Sequence, residues 1–588
     1  MILTRLRTSS FLGLLQKPVF RVFLASLAIF LTSSTLWAQR ADPIGDEPHY
    51  LLATYSLLAD HDLDLANNYA ERDYERFFRT EWYKPGDLDF IVREKHAFDY
   101  AGDGRLFSVH GAGLSAVLLP AYALAGRLGA LYLMAFLTAL LAALIYSLCR
   151  RYAGSGGLAA LAWLPLALSI PVMPYAVLFF PEGIAALIIT SGWILAFEKD
   201  RLRPRHFLVI ALLVSVLPWF HVKYLAASAA ILATCLVRRY REVSRAESLL
   251  SLSAPAILAG SLLGVFSSRV YGSPFPFAAY AAPVTGMHPE TLADGLLGLW
   301  LDKEFGLLPY SPVYLLAILG FTRLIIDKRY RLALGLGMVF ASVYLPSAAY
   351  GSWWGGLSFP SRFLLPVLPL LSIPSSYLIS RSRERILRVC FLLLGIVSIM
   401  FATFGVLRPT LLLEDANGVN RFWTEVGRAD LERLLPSFIR FRATWNAETL
   451  PRIVGEDVED RMASNKLSRF SRAGSPPGFM LYGPFIPLKE GRYKVAFYVR
   501  ADGDGSPGPV ARLDVSTTSP SEGTTVLAYR DITGATPSGS RGYQELTLDF
   551  ATPGKVPIEF RVMTLGNASI WVDAVQVWGL SGLPLLKR

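Results

Sequence analysis

The sequence predicts an all-α polytopic membrane domain of about eleven transmembrane helices, with an interfacial helix in its first external loop, followed by a C-terminal all-β sandwich. Three observations predict it. Of 588 residues, 53% are hydrophobic and 18% charged, whereas a soluble protein carries about 25% charge. Apolar runs of about 13 to 22 residues recur along the first part of the chain, and a helix needs roughly 20 such residues to cross hydrocarbon. Beyond residue 478 the pattern changes to short alternating runs separated by turn-rich stretches.

The first helix is expected over Val19–Ala38. Arg5, Arg7, Lys17 and Arg21 lie before or at the start of this run, and Leu36 is too large for the small-residue site of a cleaved leader, so the segment is read as an uncleaved helix. The following runs are Leu128–Leu148, Gly157–Ile170, Gly183–Phe197, Phe207–Trp219, Tyr224–Val237, Ser251–Val270, Pro312–Ile326, Leu332–Pro346, Leu364–Leu378 and Ile386–Leu407. One further run, Leu106–Gly126, is ambiguous. If it does not cross, the basic stretches Arg150-Arg151, Lys199–His206, Arg238–Arg245, Lys328–Arg331 and Arg381–Arg388 all fall on the cytoplasmic side. If it crosses, all of them move outside. The excess of Lys and Arg on cytoplasmic loops therefore favours a membrane-surface helix, opening with Ser108-Val109-His110-Gly111.

This parity makes Gln39–Arg105, Phe220–Lys223, Tyr271–Tyr310, Tyr350–Arg362 and everything after Arg408 external. The chain then divides into a membrane domain at 1–410 with its external loop at 39–127, a mixed connector at 411–477, and a sandwich at 478–582. In the sandwich, Tyr493, Val495, Phe497 and Val499 alternate onto one face. So do Leu546, Leu548 and Phe550, and again Ile558, Phe560 and Val562. About seven strands are expected.

Several classes are disfavoured. The net charge of +11 resides in short basic loops and reads as orientation, so nucleic acid is not an expected partner, whereas membrane lipids are. Cys149, Cys235 and Cys390 lie in or beside apolar runs, which supports neither a disulfide framework nor a cysteine zinc site. The phosphate-binding glycine loop, the HExxH motif and paired CxxC motifs are missing.

Chemistry concentrates in the external segments. Asp46-Glu47 places two carboxylates just beyond the first helix, at lipid head-group level, where a carboxylate can take a proton from a hydroxyl. The competing reading is a simply solvated pair. His110, His221, Lys223, Arg269, Lys303 and Arg362 are cations on the same side, of the kind that stabilises phosphate. His221 and Lys223 stand between two apolar runs, as ligand-binding groups or as snorkelling interfacial residues. Arg362 follows a glycine-rich stretch containing Trp353 and Trp354, either a sugar-stacking platform or an aromatic belt. Glu182, in Phe180-Pro181-Glu182-Gly183, either orders the site or caps a helix.

The acidic pair after the first helix and the Ser108–Gly113 segment resemble the type C glycosyltransferase superfamily of polyprenyl-phosphate-sugar-dependent enzymes, which includes protein O-mannosyltransferases and aminoarabinose transferases of lipid A (family 39-like). The phrases Tyr271-Gly272-Ser273-Pro274, Phe305–Pro312 and Trp354–Arg362 resemble a largely uncharacterised bacterial branch of it. The likeness covers about residues 15–410. Where those mannosyltransferases have His-Pro-Pro, this chain has His110-Gly111-Ala112. The resemblance implies Asp46 as catalytic base and Glu47 as its helper, with a divalent metal on that pair in some relatives. It implies donor phosphate held by Arg362 and Lys223, with His221 and His110 as further candidates; Glu182, Arg269, Lys303 and Trp354 are other site candidates. The implied reaction moves a sugar, with inversion, from a polyprenyl phosphate to a glycan, lipid or protein acceptor. It would take place on the periplasmic face of a bacterial inner membrane, with a cytoplasmic N-terminus and a periplasmic C-terminal domain. The tail resembles carbohydrate-binding β-sandwich modules. Two rival readings remain: a transporter or flippase for envelope polysaccharide, although neither internal symmetry nor broken helices are evident, and an undecaprenyl-diphosphate glycan ligase or polymerase.

Overall fold

Proline and glycine divide the apolar sequence into helices. The computed structural model describes residues 17–83, 88, 96–199, 201–238, 246–280, 291–381, 385–412, 422–423, 435–438, 442–460, 462–464, 466–488, 491–502, 508–519, 523–533, 543–552 and 556–580. The chain forms two compact units, Met1–Ser437 and Phe438–Arg588.

In the first unit, Pro18 opens α1 (Pro18–Ala38), where its missing N–H is not needed. A short α2 (Glu47–Ala59) follows, then a two-stranded ribbon of β1 (Ala97–Phe98) and β2 (Phe107–Ser108). The next helix, α3 (Ala112–Tyr152), is broken at Ala125–Gly126. Gly126 has φ +56° and ψ −144°, a conformation that suits glycine alone, so the chain turns where the ambiguous apolar run ends and the next begins. The helices α4 (Gly156–Leu168), α5 (Pro181–Trp193), α6 (Pro204–Ser215), α7 (Leu225–Arg238), α8 (Ala246–Tyr271), α9 (Leu292–Leu301), α10 (Leu315–Ile326), α11 (Tyr330–Ala349), α12 (Ser372–Arg381) and α13 (Arg385–Leu407) complete the unit.

Among the described residues, six segments are long and apolar enough to cross a membrane, and five more apolar helices are shorter. The chain is thus a multi-pass membrane protein by its helices, but helix length does not reproduce the expected eleven spans. The clearest departure is Leu364–Leu378, read as one span. Pro366 and Pro369 break it into two 3-10 turns, Arg362–Leu364 and Leu368–Leu371, and only ten residues of α12 remain helical. In the opposite direction, α9 was not expected as an element at all.

The second unit is an antiparallel sandwich. One sheet orders its strands β10-β9-β12-β6 (β6 being Gly478–Leu481), with β7 (Pro484–Pro487) also on β12; the other runs β11-β8-β13-β5-β4, with β3 also on β13. Its long strands are β8 (Gly491–Asp502), β9 (Pro509–Ser519), β10 (Gly523–Thr533), β11 (Gln544–Thr552), β12 (Pro557–Thr564) and β13 (Ser569–Leu580). Val495, Phe497 and Val499 share one core with Ile558, Phe560 and Val562 and with Leu513 and Val515, which stand beside Val562 and Phe560 on the neighbouring strand β9. The sheets hold more strands than the expected seven. Strands β3 (Arg442–Asn446), β4 (Glu456–Glu459) and β5 (Leu467–Ser471) lie in the stretch assigned to a connector, yet β3 and β5 hydrogen-bond to β13. Much of residues 411–441 lies outside the described residues.

Candidate active site

Asp46 stands at the N-cap position of α2, one residue before Glu47-Pro48 starts the helix. Gly45 before it has φ +53°, and a Cβ there would meet the Leu357 carbonyl oxygen at 2.8 Å. Only glycine lets the chain approach the 351–362 loop so closely. That loop carries Arg362, which follows Ser361 in the left-handed region at φ +60°. Such backbone is costly for a serine, and the hydrogen bond from Ser361 N–H to the Phe305 carbonyl at 2.9 Å fixes it.

Arg362 is 6% exposed and donates in three directions. Its Nη2 reaches Asp46 Oδ2 at 2.7 Å, its Nε reaches Glu182 Oε1 at 3.1 Å, and its Nη1 reaches the Gly355 carbonyl at 3.0 Å. Its guanidinium also lies over the Phe180 ring, 4.1 Å from the centroid. Glu182 sits in the first turn of α5, where a carboxylate suits the helix dipole, and is fully buried. Lys223 Nζ donates to the same Glu182 Oε1 at 2.7 Å and lies 4.0 Å from the Phe363 centroid. Glu182 Oε2 is buried with no hydrogen-bond partner among the described residues.

The other Asp46 oxygen faces imidazoles. His96 Nδ1 lies 3.6 Å and His110 Nε2 4.0 Å from Asp46 Oδ1, and the two ring nitrogens are 3.0 Å apart. The β1–β2 ribbon makes this possible, because it folds His96 back beside His110. His49 stacks on His96 at 4.1 Å between centroids and bonds the Tyr69 hydroxyl at 2.9 Å.

Burial by itself would raise the Asp46 carboxyl, but the adjacent Arg362 guanidinium together with the neighbouring His110 and His96 reverses this and holds it well below the usual carboxylate range. Burial opposes the charge on Arg362, and Glu182 and Asp46 keep it protonated. Burial pushes His110 down to about 4, so it is uncharged near neutral pH. His221 uses Nδ1 to accept the Lys223 backbone N–H at 3.1 Å, which an imidazolium cannot do. Without a charge these two histidines can offer a phosphate only an N–H, whereas Lys223 and Arg362 offer positive charge.

Glu47 points away from Asp46's partners. Its Oε1 accepts the Phe179 N–H at 2.8 Å and its Oε2 the Ile44 N–H at 3.0 Å, tying the start of α2 to the segment before α5. Its burial pushes the carboxyl up to about 7. The expected metal pair of Asp46 with Glu47 thus does not fit, since both Glu47 oxygens serve the backbone. Asp46, His96 and His110 do fit: each offers a donor atom within 4.8 Å of the others. One carboxylate oxygen with two imidazole nitrogens suits a zinc-type or manganese-type cation.

Of the remaining candidates, Arg269 is exposed in the last turn of α8. Lys303 sits against Tyr310 and Trp423, whose side chains donate to its carbonyl at 2.6 Å and 3.0 Å. Trp354 is half-buried and edge-on to Trp353. His96, His49 and Phe180 were not anticipated as site residues. The only sequence signal for His96 was its place in the charged part of the first loop.

Fold and site together define a class: a multi-pass membrane protein with a buried acid–base and ion-pair cluster beyond the ends of its helices. The sequence matches no protein-family profile and no curated protein. In structure the chain is similar to ArnT from Cupriavidus metallidurans bound to undecaprenyl phosphate, at 14% identity over 68% of this chain and 67% of that one, with a TM-score of 0.41. It is also similar to the arabinosyltransferase EmbB from Mycobacterium smegmatis, at 10% identity over 94% of this chain and 64% of that one, with a TM-score of 0.31. A C-terminal CBM6 of LamC from Zobellia galactanivorans matches 23% of this chain over 98% of its own length, at 10% identity and a TM-score of 0.18.

Proposed function

We propose that the protein is an integral membrane glycosyltransferase that moves a sugar from a polyprenyl-phosphate donor to an envelope acceptor on the outer face of the membrane. The observation that carries this reading is the shared cluster in which Arg362 bridges Asp46 and Glu182 while Lys223 backs Glu182. In its resting form this cluster is charge-balanced, with two carboxylates against two cations. The incoming donor is a phosphodiester monoanion, and it competes with Asp46 for the Arg362 Nη2 group. Asp46 then loses the partner that depresses it, and its basicity rises.

The step follows from that exchange. The acceptor oxygen attacks the anomeric carbon on the side opposite the phosphate, and its proton passes to Asp46. The bond between the anomeric carbon and the phosphate oxygen breaks, and the polyprenyl phosphate leaves with the electron pair. Arg362 and Lys223 receive the developing charge. The product has inverted anomeric configuration. The unpartnered Glu182 Oε2 offers an acceptor for a sugar hydroxyl. A divalent cation on Asp46, His96 and His110 would add positive charge beside the leaving phosphate.

The test is reconstitution of the purified protein with radiolabelled polyprenyl-phosphate sugars, comparing wild type with Asp46→Asn and Arg362→Ala. Transfer by wild type and none by Asp46→Asn is expected. Transfer from diphosphate donors alone would move the protein to the ligase class, and undiminished transfer by Asp46→Asn would remove the assigned base.

A further inference from the structure

A basic cleft opens at the other end of the helices that carry the site. The spanning part of α3 starts after the break at Ala125–Gly126 with Arg127, which bonds Asp42 four residues before Asp46, and ends at Arg151-Tyr152, about 40 Å away at 1.5 Å per residue. Helix α11 runs the opposite way over about 30 Å, from Tyr330 to Ala349, and the next residue, Tyr350, packs on Phe363 beside Arg362. Both lengths are those of a bilayer. The cleft therefore lies one membrane thickness from Asp46.

Its cavity measures about 940 Å³ and is lined, among the described residues, by five cations, Arg151, Lys328, Arg329, Arg331 and Arg381, and by no carboxylate. They come from three separate stretches of chain. Among the described residues, two carboxylates that adjoin the lining in sequence or by ion pair are already engaged: Glu198 by Arg151 and the Tyr152 hydroxyl, Asp327 by Arg323 at 3.1 Å and the Tyr377 hydroxyl at 2.7 Å. Lys328, Arg329, Arg331 and Arg381 form no ion pair with any described residue. Lys328 takes a left-handed backbone, φ +58°, in the turn that presents this group. Orientation of a membrane protein needs basic loops, but it does not need them gathered into one concavity.

We propose that this cleft binds the phosphate head group of an anionic phospholipid in the leaflet opposite the active site. Unpaired cations in a pocket between helix ends match a phosphate in charge and shape. The apolar flank distinguishes a lipid from a free phosphate ester: Ile326 and Leu334, on the helices either side of the turn, are 64% and 66% exposed and lie where acyl chains run.

The test uses the full-length protein in nanodiscs of phosphatidylcholine containing phosphatidylglycerol, with lipid retention read by native mass spectrometry. Wild type is expected to retain phosphatidylglycerol in preference to phosphatidylcholine. Arg329→Gln/Arg331→Gln/Arg381→Gln lowers that retention on the order of 100-fold, since each cation contributes roughly a fivefold factor. The single variant Arg329→Gln, at an exposed position, lowers it roughly fivefold and stands in if the triple variant does not fold. Arg385→Gln/Arg388→Gln removes two exposed cations outside the cleft and leaves retention at the wild-type level. Equal retention of the two lipids, or equal losses in the cleft and control variants, overturns the proposal. Displacement of the lipid by glycerol phosphate at matching concentration overturns its lipid source.

Discussion

Arg362 Nη2 donates to Asp46 Oδ2 at 2.7 Å, although 316 positions separate the two residues. Their side chains are 7% and 20% exposed, so the pair is taken largely out of water. Burying two charges costs desolvation that their attraction repays only with good geometry and further hydrogen bonds. Arg362 meets that condition through Glu182 and Gly355. Asp46 has in addition an oxygen turned to two imidazoles. The pair thus closes one side of a site and leaves the other side polar and approachable.

Asp46→Asn keeps the size and polarity of the side chain and removes its basicity. The expected outcome is a folded protein whose kcat falls by a factor on the order of 100 or more, the usual contribution of a general base. Radiolabel transfer with purified variant reads this, and gel filtration confirms that the fold is kept.

Arg362→Ala leaves Asp46 and the fully buried Glu182 without their shared partner. Loss of one member of a buried pair costs about 3–5 kcal/mol, so a lowered unfolding midpoint is expected together with lost transfer. Glu182 still has Lys223, so adding Asp46→Asn removes the carboxylate that lost its cation. The double variant should recover part of the midpoint in thermal unfolding and none of the activity.

Glu47 gives a pH signature. Its folded value of about 7 lies above its ordinary 4.5. Between those values the folded chain holds a proton that the unfolded chain has released, so stability falls as pH rises through the window. The group's contribution is full below about 4.5 and is lost by about 7. Glu47→Gln does not titrate. The stability difference, wild type minus variant, should therefore be larger at pH 5 than at pH 8 in thermal scans.

Gly45→Ala tests the approach of the two loops. A Cβ would press on the Leu357 carbonyl at 2.8 Å from a backbone with φ +53°. A cost of about 1–2 kcal/mol is expected from the left-handed conformation, and the contact would push Asp46 away from Arg362. Because a displacement of about 1 Å can cost roughly 100-fold in rate, transfer should fall far more than the unfolding midpoint does.

Much of this was legible in the sequence. Asp46 and Glu47 stood out because carboxylates beside an apolar run are expensive without a purpose. Arg362 stood out because it ended a glycine-rich loop between apolar runs, and Glu182 because it was a lone acid before one. The strands 491–502 and 557–564 were visible through period-two alternation, with one face feeding the core. By contrast, β3 to β5 are short, and are strands only because remote or neighbouring strands supply hydrogen-bond partners: β13, far along the chain, for β3 and β5, and β5 in turn for β4. His96 was hidden for the same reason: a ribbon with no hydrophobic signature folds it against His110.

By itself the sequence determined what local chemistry can encode: apolar length, basic loops, alternation, and the few ionisable groups set against hydrophobic surroundings. Which of those groups meet was decided only by the tertiary structure. It joined Asp46, Glu182, Lys223 and Arg362, turned Glu47 to the backbone, and left His110 uncharged. The physical reason is that pairing and desolvation depend on distances of a few ångströms between remote segments, and these are set by packing of the whole helical unit rather than by any residue's neighbours in the chain.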